Sequence, residues 1–347
     1  MSRGAMPKQL IPFIRGRSLL ALAWERLEGL AGPDRRWICA GEAHRAAALA
    51  GVPGLDTSRF LGEPEGRDTL NALAFASAVI QKGDPEAVVG VFTADQLIEP
   101  ADVFRRVVSE GYELAEDDSA VLVTFGIAPT HAATGYGYLS LGSPLRGAAR
   151  SVEEFREKPD LATAQQWVAA GPERFLWNSG MFVFSARGFL DCVGRYEPEC
   201  RAGMARIADA WGTPAQAAEL AAVYPRLRKI SVDFAVMERA SRDPAVKVAA
   251  LPMALSWADI GSWPAFADTC EKDGAGNALA AEKCLLLDTR GTLVASSTTG
   301  HLIAALGCDD LIIVHTPTAT LVCRKDRAED VKKLQSLAAE RFGADYV

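Results

Sequence analysis

The chain has 347 residues, 49% hydrophobic and 23% charged, the balance of a folded globular protein with room for one large domain and a smaller one. A formal net charge of −7 argues against a nucleic-acid surface. No apolar run approaches the ~18 residues of a membrane-spanning helix, and the basic first residues lead into no apolar leader, so neither nucleic acid nor membrane is an expected partner and the reading is cytoplasmic.

In chain order, "SLLALAWERLEGL" has helical apolar spacing, and "RRWICAG" is a short apolar run ending at Gly41. "TLNALAFASAVIQKG" is helical and stops at Gly83; "EAVVGVFTAD" is a buried strand running into a polar end. "ADVFRRVVSEGYEL" is helical and "SAVLVTFG" is again a strand. This alternation predicts an α/β, Rossmann-like domain with a mostly parallel mixed sheet and helices on both faces. Ligands in such sheets sit beyond the carboxyl ends of the strands, which puts Asp95 and the "FGIAPTHAATGYGY" loop at the mouth of a pocket. Residues 185–240 read as helices, then "AVKVAALPM" as a strand and "WADIGSW" as a compact turn. After about residue 274 short β runs follow one another at roughly ten-residue spacing, the pattern of a sandwich or a few coils of β-helix. "DRAEDVKKLQSLAAERF" closes as an amphipathic helix starting at an Asp326 cap. The division expected is 1–270 and 271–347, the two parts packing closely because no low-complexity linker separates them.

Cys39, Cys192, Cys200, Cys270, Cys284, Cys308 and Cys323 are scattered, with no C-x-x-C pair, and the four histidines show no ligand spacing. Reduced thiols, rather than disulfides or a zinc site, are the expectation.

Several side chains are placed to carry chemistry. Asp95 ends "VVGVFTAD", where a carboxylate either ligates Mg²⁺ or caps the next helix. Asp259 sits in "WADIGSW", as a second metal carboxylate or as the closing side chain of an Asx turn. In "EEFREKPD", Pro159 keeps Lys158 out of the helical region, and adjacent residues on an extended segment point to opposite sides. Glu157 would then accept from sugar hydroxyls while Lys158 faces a phosphate; a solvated charge cluster is the alternative. "FLWNSGMFVF" puts Asn178, Ser179 and Gly180 just ahead of an apolar strand, where Asn178 suits vicinal hydroxyls and Gly180 permits close approach. "TGYGYLSLG" offers backbone donors at Gly135 and Gly137, and "GEPEGRDT" sets Arg67 beside a helix start capped by Asp68 or Thr69. Two carboxylates, a lysine beside a glutamate, an asparagine–glycine seat and a Gly/Tyr loop are together what nucleotidyl transfer to a sugar phosphate needs.

"SRGAMPKQL", "EPEGRDT", "FTADQLI", "TFGIAPTHAATGYGY", "VEEFREKPD", "WNSGMFVF", "SVDFAVMERA" and "WADIGSW", in this order, resemble the bacterial mannose-1-phosphate guanylyltransferases (GDP-mannose pyrophosphorylases) of the sugar nucleotidyltransferases. The resemblance runs nearly end to end. It implies an α/β nucleotide-binding domain followed by a small left-handed β-helix. It implies GTP and mannose 1-phosphate as substrates, with GDP-mannose and pyrophosphate as products. It further implies that Asp95 and Asp259 bind Mg²⁺, that Glu157 and Asn178 hold the mannose hydroxyls, and that Lys8 and Lys158 face phosphates. Gly135, Tyr136 and Gly137 would line the cleft, Arg67 and Asp68 would lie near the guanine, and Asp233 close to the sugar phosphate. Open β-helix edges suit a homodimer. The rival reading is a catalytically impaired paralogue that binds a nucleotide or sugar nucleotide and regulates a partner.

Three departures stand out. The family shows A-D-H where this chain has Ala94-Asp95-Gln96, and R-N-T where it has Arg67-Asp68-Thr69. In the family, a strand and a G-G-x-G-T-R-L-x-P loop stand directly before "SR…PKQ", the loop cradling the GTP phosphates. Met1 falls right after that point, so the expectation is a start upstream that supplies the loop and its arginine, with a shortened paralogue as the alternative; without that loop little activity is expected.

Overall fold

The computed structural model describes residues 7–12, 14 and 16–343; Ser2 to Met6 of "SRGAMPKQL" fall outside them. Helix α1 (Leu19–Arg26) starts where the Ser18 side chain accepts from Ala21 N at 3.1 Å. It is followed by β1 (Ile38–Gly41), α2 (Arg45–Gly51) and β2 (Phe60–Glu63). Next come α3 (Asp68–Gly83), β3 (Val88–Val91), β4 (Gln96–Glu99) and α4 (Ala101–Asp117). β5 (Val121–Ile127), apolar but for Thr124, is buried throughout, as suits a central strand. A loop leads to β6 (Tyr138–Pro144) and β7 (Arg150–Arg156). Helix α5 (Leu161–Ala170) is capped by Asp160, which accepts from Thr163 N at 2.8 Å, and ends at Gly171, φ 90°. Then come β8 (Phe175–Ser185), α6 (Ala186–Tyr196), α7 (Pro198–Ala210) and α8 (Gln216–Val223). A π-helical turn, Asp233–Met237, runs into α9 (Glu238–Ala240). β9 (Lys247–Pro252), β10 (Ser256–Asp259) and α10 (Trp263–Thr269) complete this part.

The main sheet has the order β3-β8-β5-β9-β7-β6, with β8 also pairing with β6. It is mixed, and its antiparallel share is larger than the strand–helix alternation suggests. Within it only β5–β9 is parallel; the other described pairings are antiparallel. The reason is local: β6 returns as β7 through a short turn, and the eleven-residue β8 runs against both of its central neighbours. β1 and β2 form a separate parallel pair. Alternate residues of β8 serve two cores. Phe182 and Phe184 face the layer of α3, α6 and α7, while Met181 and Val183 face α4 with Phe104, Phe125 and Leu251.

The remaining strands are β11 (Glu271–Lys272), β12 (Ala278–Ala280), β13 (Lys283–Leu287), β14 (Leu293–Ser296), β15 (Leu302–Leu306), β16 (Leu311–His315) and β17 (Thr320–Arg324). β12, β14 and β16 stack in parallel, Ala278 opposite Leu293 and Leu293 opposite Ile312; β13 and β15 stack likewise on another face. These are coils of a β-helix, and Leu293, Ala295, Ile312 and Val314 fill it together with Trp263, Phe266 and Ile260. That shared core seals the β-helix against the larger part. Helix α11 (Val331–Phe342) follows a 3₁₀ segment, Lys325–Asp330. The Asp326 cap is therefore corrected: Asp326 lies within the 3₁₀ segment, where it accepts from Arg324 at 2.9 and 2.6 Å, and α11 starts only after Asp330.

Candidate functional site

The site lies beyond the carboxyl ends of β5 and β9, where β10 pairs with β4. The two run antiparallel with Asp259 opposite Gln96, and Ile260 N donates to the Asp95 carbonyl at 3.2 Å. This register brings Asp95 and Asp259 together from distant parts of the chain. Lys8 joins them: its Nζ is 3.2 Å from Asp95 Oδ2 and donates to the Ile260 carbonyl at 2.9 Å. Burial raises the Asp259 carboxyl above its ordinary range, and the charge of Asp95 adds to this while Lys8 opposes it. Among the described residues no group of three or more His, Cys, Asp or Glu could hold a metal. The pair thus offers at most two protein ligands, a donor set that fits Mg²⁺, which takes one or two carboxylates plus phosphate oxygens and water.

A polar seat lies beside the pair. Asn178 is within β8, not ahead of it as the sequence suggested. Between Thr124 and Gly126 of β5 the register slips: Thr124 faces Phe182 but Gly126 faces Asn178. The extra β8 residues bulge around Gly180, φ 73°, and the bulge re-aims Asn178. Asn178 Oδ1 accepts from Thr124 Oγ1 at 2.8 Å and Gly180 N at 3.2 Å, and its Nδ2 donates to Asp233 Oδ1 at 3.0 Å. Asp233 opens the π-helical turn, a distortion that often marks a site. Burial pushes Asp233 up to about 6, with Lys158 and Asn178 opposing. Glu157 reaches about 7, through burial first and the Asp233 charge second.

Lys158 does not point away from Glu157. Its backbone is left-handed, φ 48°, held by donation of Lys158 N to the Tyr136 carbonyl at 3.3 Å, so its Nζ comes within 3.4 Å of Glu157 Oε1. The extended geometry expected before Pro159 gives way to this turn, and Glu157 N is fixed by Glu238 Oε1 at 2.8 Å. Gly137 packs under the seat: a Cβ there would come within 2.6 Å of Glu157 Oε2.

Tyr136 stands between pair and seat. Its ring meets the edges of Trp177 and Trp257 at 5.2 and 5.3 Å, and burial, with Asp259 nearby, raises its phenol. Gly135 is exposed, and a Cβ there would meet nothing within 4 Å. Asp68, φ 66°, caps its own neighbour by accepting from Thr69 N at 2.8 Å, and its charge raises Asp233. The Thr69 hydroxyl instead accepts from Val232 N at 2.9 Å, tying the start of α3 to the π turn. Arg67 is engaged by Glu65 and the Pro225 carbonyl. A cavity of about 630 Å³ lined by Trp24, Glu25, Arg36 and Pro53 contains none of these residues.

Sequence reasoning missed Arg26, Thr124 and Glu238, and met Gln96 only as a departure from the family's A-D-H. Buried Arg26 donates to the carbonyls of Gln96 at 3.3 Å and Thr93 at 3.4 Å, either side of Asp95, and burial lowers it to about 10. Its signal was present: Leu19, Ala23 and Arg26 share one helical stripe, and a charge on an apolar stripe needs partners. Thr124 sat unremarked inside an apolar run.

Residues 3–275 match the model of the nucleotidyl transferase family, and residues 282–336 that of the MannoseP isomerase/GMP-like beta-helix domain. The chain is 35% identical over 346 residues to the xanthan biosynthesis protein XanB of Xanthomonas campestris, covering 97% of this chain and 69% of the relative. It is 31% identical over 359 residues to the mannose-1-phosphate guanylyltransferase of Escherichia coli, covering 100% and 72%. The crystal structure of mannose-1-phosphate geranyltransferase from Thermus thermophilus superposes with a TM-score of 0.83 at 30% identity, covering 97% of this chain and 93% of that one. The chain is a member of the mannose-1-phosphate guanylyltransferase family of nucleotidyltransferases, an α/β domain followed by a β-helix.

Proposed function

We propose that this enzyme transfers GMP from GTP to α-D-mannose 1-phosphate, giving GDP-mannose and pyrophosphate. One observation carries the reading: the β4–β10 register sets Asp95 and Asp259 side by side, next to the polar seat of Asn178, Asp233 and Glu157. A phosphate oxygen of mannose 1-phosphate attacks the α-phosphorus of GTP in line. The new O–Pα bond forms as the bond from Pα to the bridging oxygen breaks, and pyrophosphate leaves with that electron pair. No enzyme-bound intermediate is needed, so positioning and charge stabilisation are what the protein supplies. Mg²⁺, held by Asp95 and Asp259, would offset the phosphate charge that meets there.

Asn178, with Glu157, holds the hexose hydroxyls. Near neutral pH a carboxyl raised to about 7 is in part protonated and both donates and accepts, as a sugar hydroxyl does. Lys158 and Lys8 face phosphates; Lys8 rests on Asp95 until substrate arrives. Gly135, Tyr136 and Gly137 line the cleft, and Arg67 and Asp68 lie toward the guanine. A cytoplasmic setting is part of this reading, suggested by seven cysteines scattered in the sequence without a C-x-x-C pair. Among the described residues no helix is long and apolar enough to cross a membrane.

The test is pyrophosphate release, by the protein carrying the phosphate-cradling loop expected upstream of Met1. It should require GTP, mannose 1-phosphate and Mg²⁺ together. Asp95→Ala and Asp259→Ala should each raise the Mg²⁺ half-saturation point and cut turnover by ~10²-fold or more. Release without mannose 1-phosphate, or unaffected by EDTA, would remove the assignment.

A further inference from the structure

Gln96 is 7% exposed, and its side chain touches neither the seat nor the carboxylate pair among the described contacts. Its amide nevertheless connects the strand that carries Asn178 with the strand that carries Asp259. Nε2 donates to the Ser179 carbonyl at 2.8 Å, one residue beyond Asn178. Oε1 accepts the Trp257 indole N–H at 2.9 Å, two residues before Asp259. The Gln96 main chain follows Asp95 directly, and its carbonyl accepts from Arg26 at 3.3 Å. Trp257 in turn packs on Tyr136.

We propose that Gln96 is a positioning residue whose carboxamide fixes the spacing between the Asp95–Asp259 pair and the Asn178 seat. This rests on the function proposed above for what is being spaced. A carbonyl on one side and an indole N–H on the other demand a group that donates and accepts from adjacent atoms. A carboxamide does both without titrating. An ionised glutamate at the same length accepts only, so its oxygen would oppose the Ser179 carbonyl, and holding it protonated there would itself carry a cost at pH 8. Leucine would leave a buried N–H and a buried C=O without partners. A neutral histidine offers one donor and one acceptor, but once protonated it donates from both nitrogens and opposes the indole. The reacting phosphates lie between pair and seat, and small errors in such spacing are costly.

The experiment measures two binding constants on the full chain. One is Mn²⁺ in the presence of GDP-mannose, from the electron paramagnetic resonance of the free ion. The other is GDP-mannose in the presence of Mg²⁺, by calorimetry. Gln96→Glu should weaken both by about 10- to 100-fold, the usual cost of losing a group that orients a ligand. Gln96→His, which in its neutral form offers one donor and one acceptor, should bind close to the parent at pH 8, a rescue that the glutamate variant does not give. The histidine variant keeps the test decisive if the glutamate variant folds poorly. Parental affinities in folded Gln96→Glu, or weakened affinities in folded Gln96→His at pH 8, would overturn the proposal and leave the function intact. A parent that binds neither Mn²⁺ nor GDP-mannose would overturn the function, and this inference with it.

Discussion

Glu157 shows how one residue's environment sets both stability and binding. Its carboxyl rises from 4.5 to about 7, so between those pH values the folded chain holds a proton that the unfolded chain has released. Stability therefore falls as pH rises through that window, and the cost is fully present above it. Glu157→Gln should remove this cost. The variant should be more stable than the parent at pH 8, by on the order of 1–3 kcal/mol, and no more stable at pH 4.5. Urea titrations at the two pH values check this; an equal effect at both would mean that the carboxyl is not held protonated. The same variant should bind mannose 1-phosphate more weakly, a trade of function against stability. At this scale Asp95 drew notice as a carboxylate at the end of an apolar strand, Asp259 and Glu157 through their local motifs, and Asp233 only through the family resemblance. The roles of Arg26 and Gln96 were not legible, because they lie in the partners these side chains reach.

At the scale of elements, the seat is made by three departures from regular geometry: the β8 bulge at Gly180, the left-handed turn at Lys158 and the π turn at Asp233. Each gathers side chains that regular elements would have sent apart. Gly137 closes the arrangement from below, with its carbonyl accepting from Asn178 N at 2.8 Å. In Gly137→Ala the new Cβ would meet Glu157 Oε2 at 2.6 Å and Asn178 Cβ at 3.3 Å. The first is the end of a flexible side chain, so Glu157 should swing aside at little cost in stability. The KM for mannose 1-phosphate should rise by about tenfold with the melting temperature nearly unchanged. A large drop in melting temperature with an unchanged KM would show that Gly137 serves packing alone.

Across the whole molecule, the core of Ile260, Trp263, Phe266, Leu293 and Ile312 makes the β-helix a support for the strand that carries Asp259. On the other side of that β-helix, Leu285 and Leu287 of β13 and Leu302 and Leu306 of β15 are each more than half exposed, with Leu287 opposite Leu306. Exposed leucines in one strip mark an interaction surface, and a strip that matches itself suits a second copy of this chain. We expect a homodimer. Light scattering on the eluting protein should give twice the chain mass, and Leu287→Glu with Leu306→Glu should halve it. A parent that elutes as a monomer at micromolar concentration would refute the dimer.

The order of strands and helices, the change to short β runs and the family itself were determined by the sequence alone, because periodicity, turn residues and ordered motifs are local signals. Tertiary structure decided the direction in which strands pair, the bulge that turns Asn178, and the meeting of Glu157 with Lys158 and of Asp95 with Asp259. Those depend on register between segments distant in the chain, and a register has no local signature; it is fixed only when the two apolar faces of β8 and the pairing of β4 with β10 are satisfied at once.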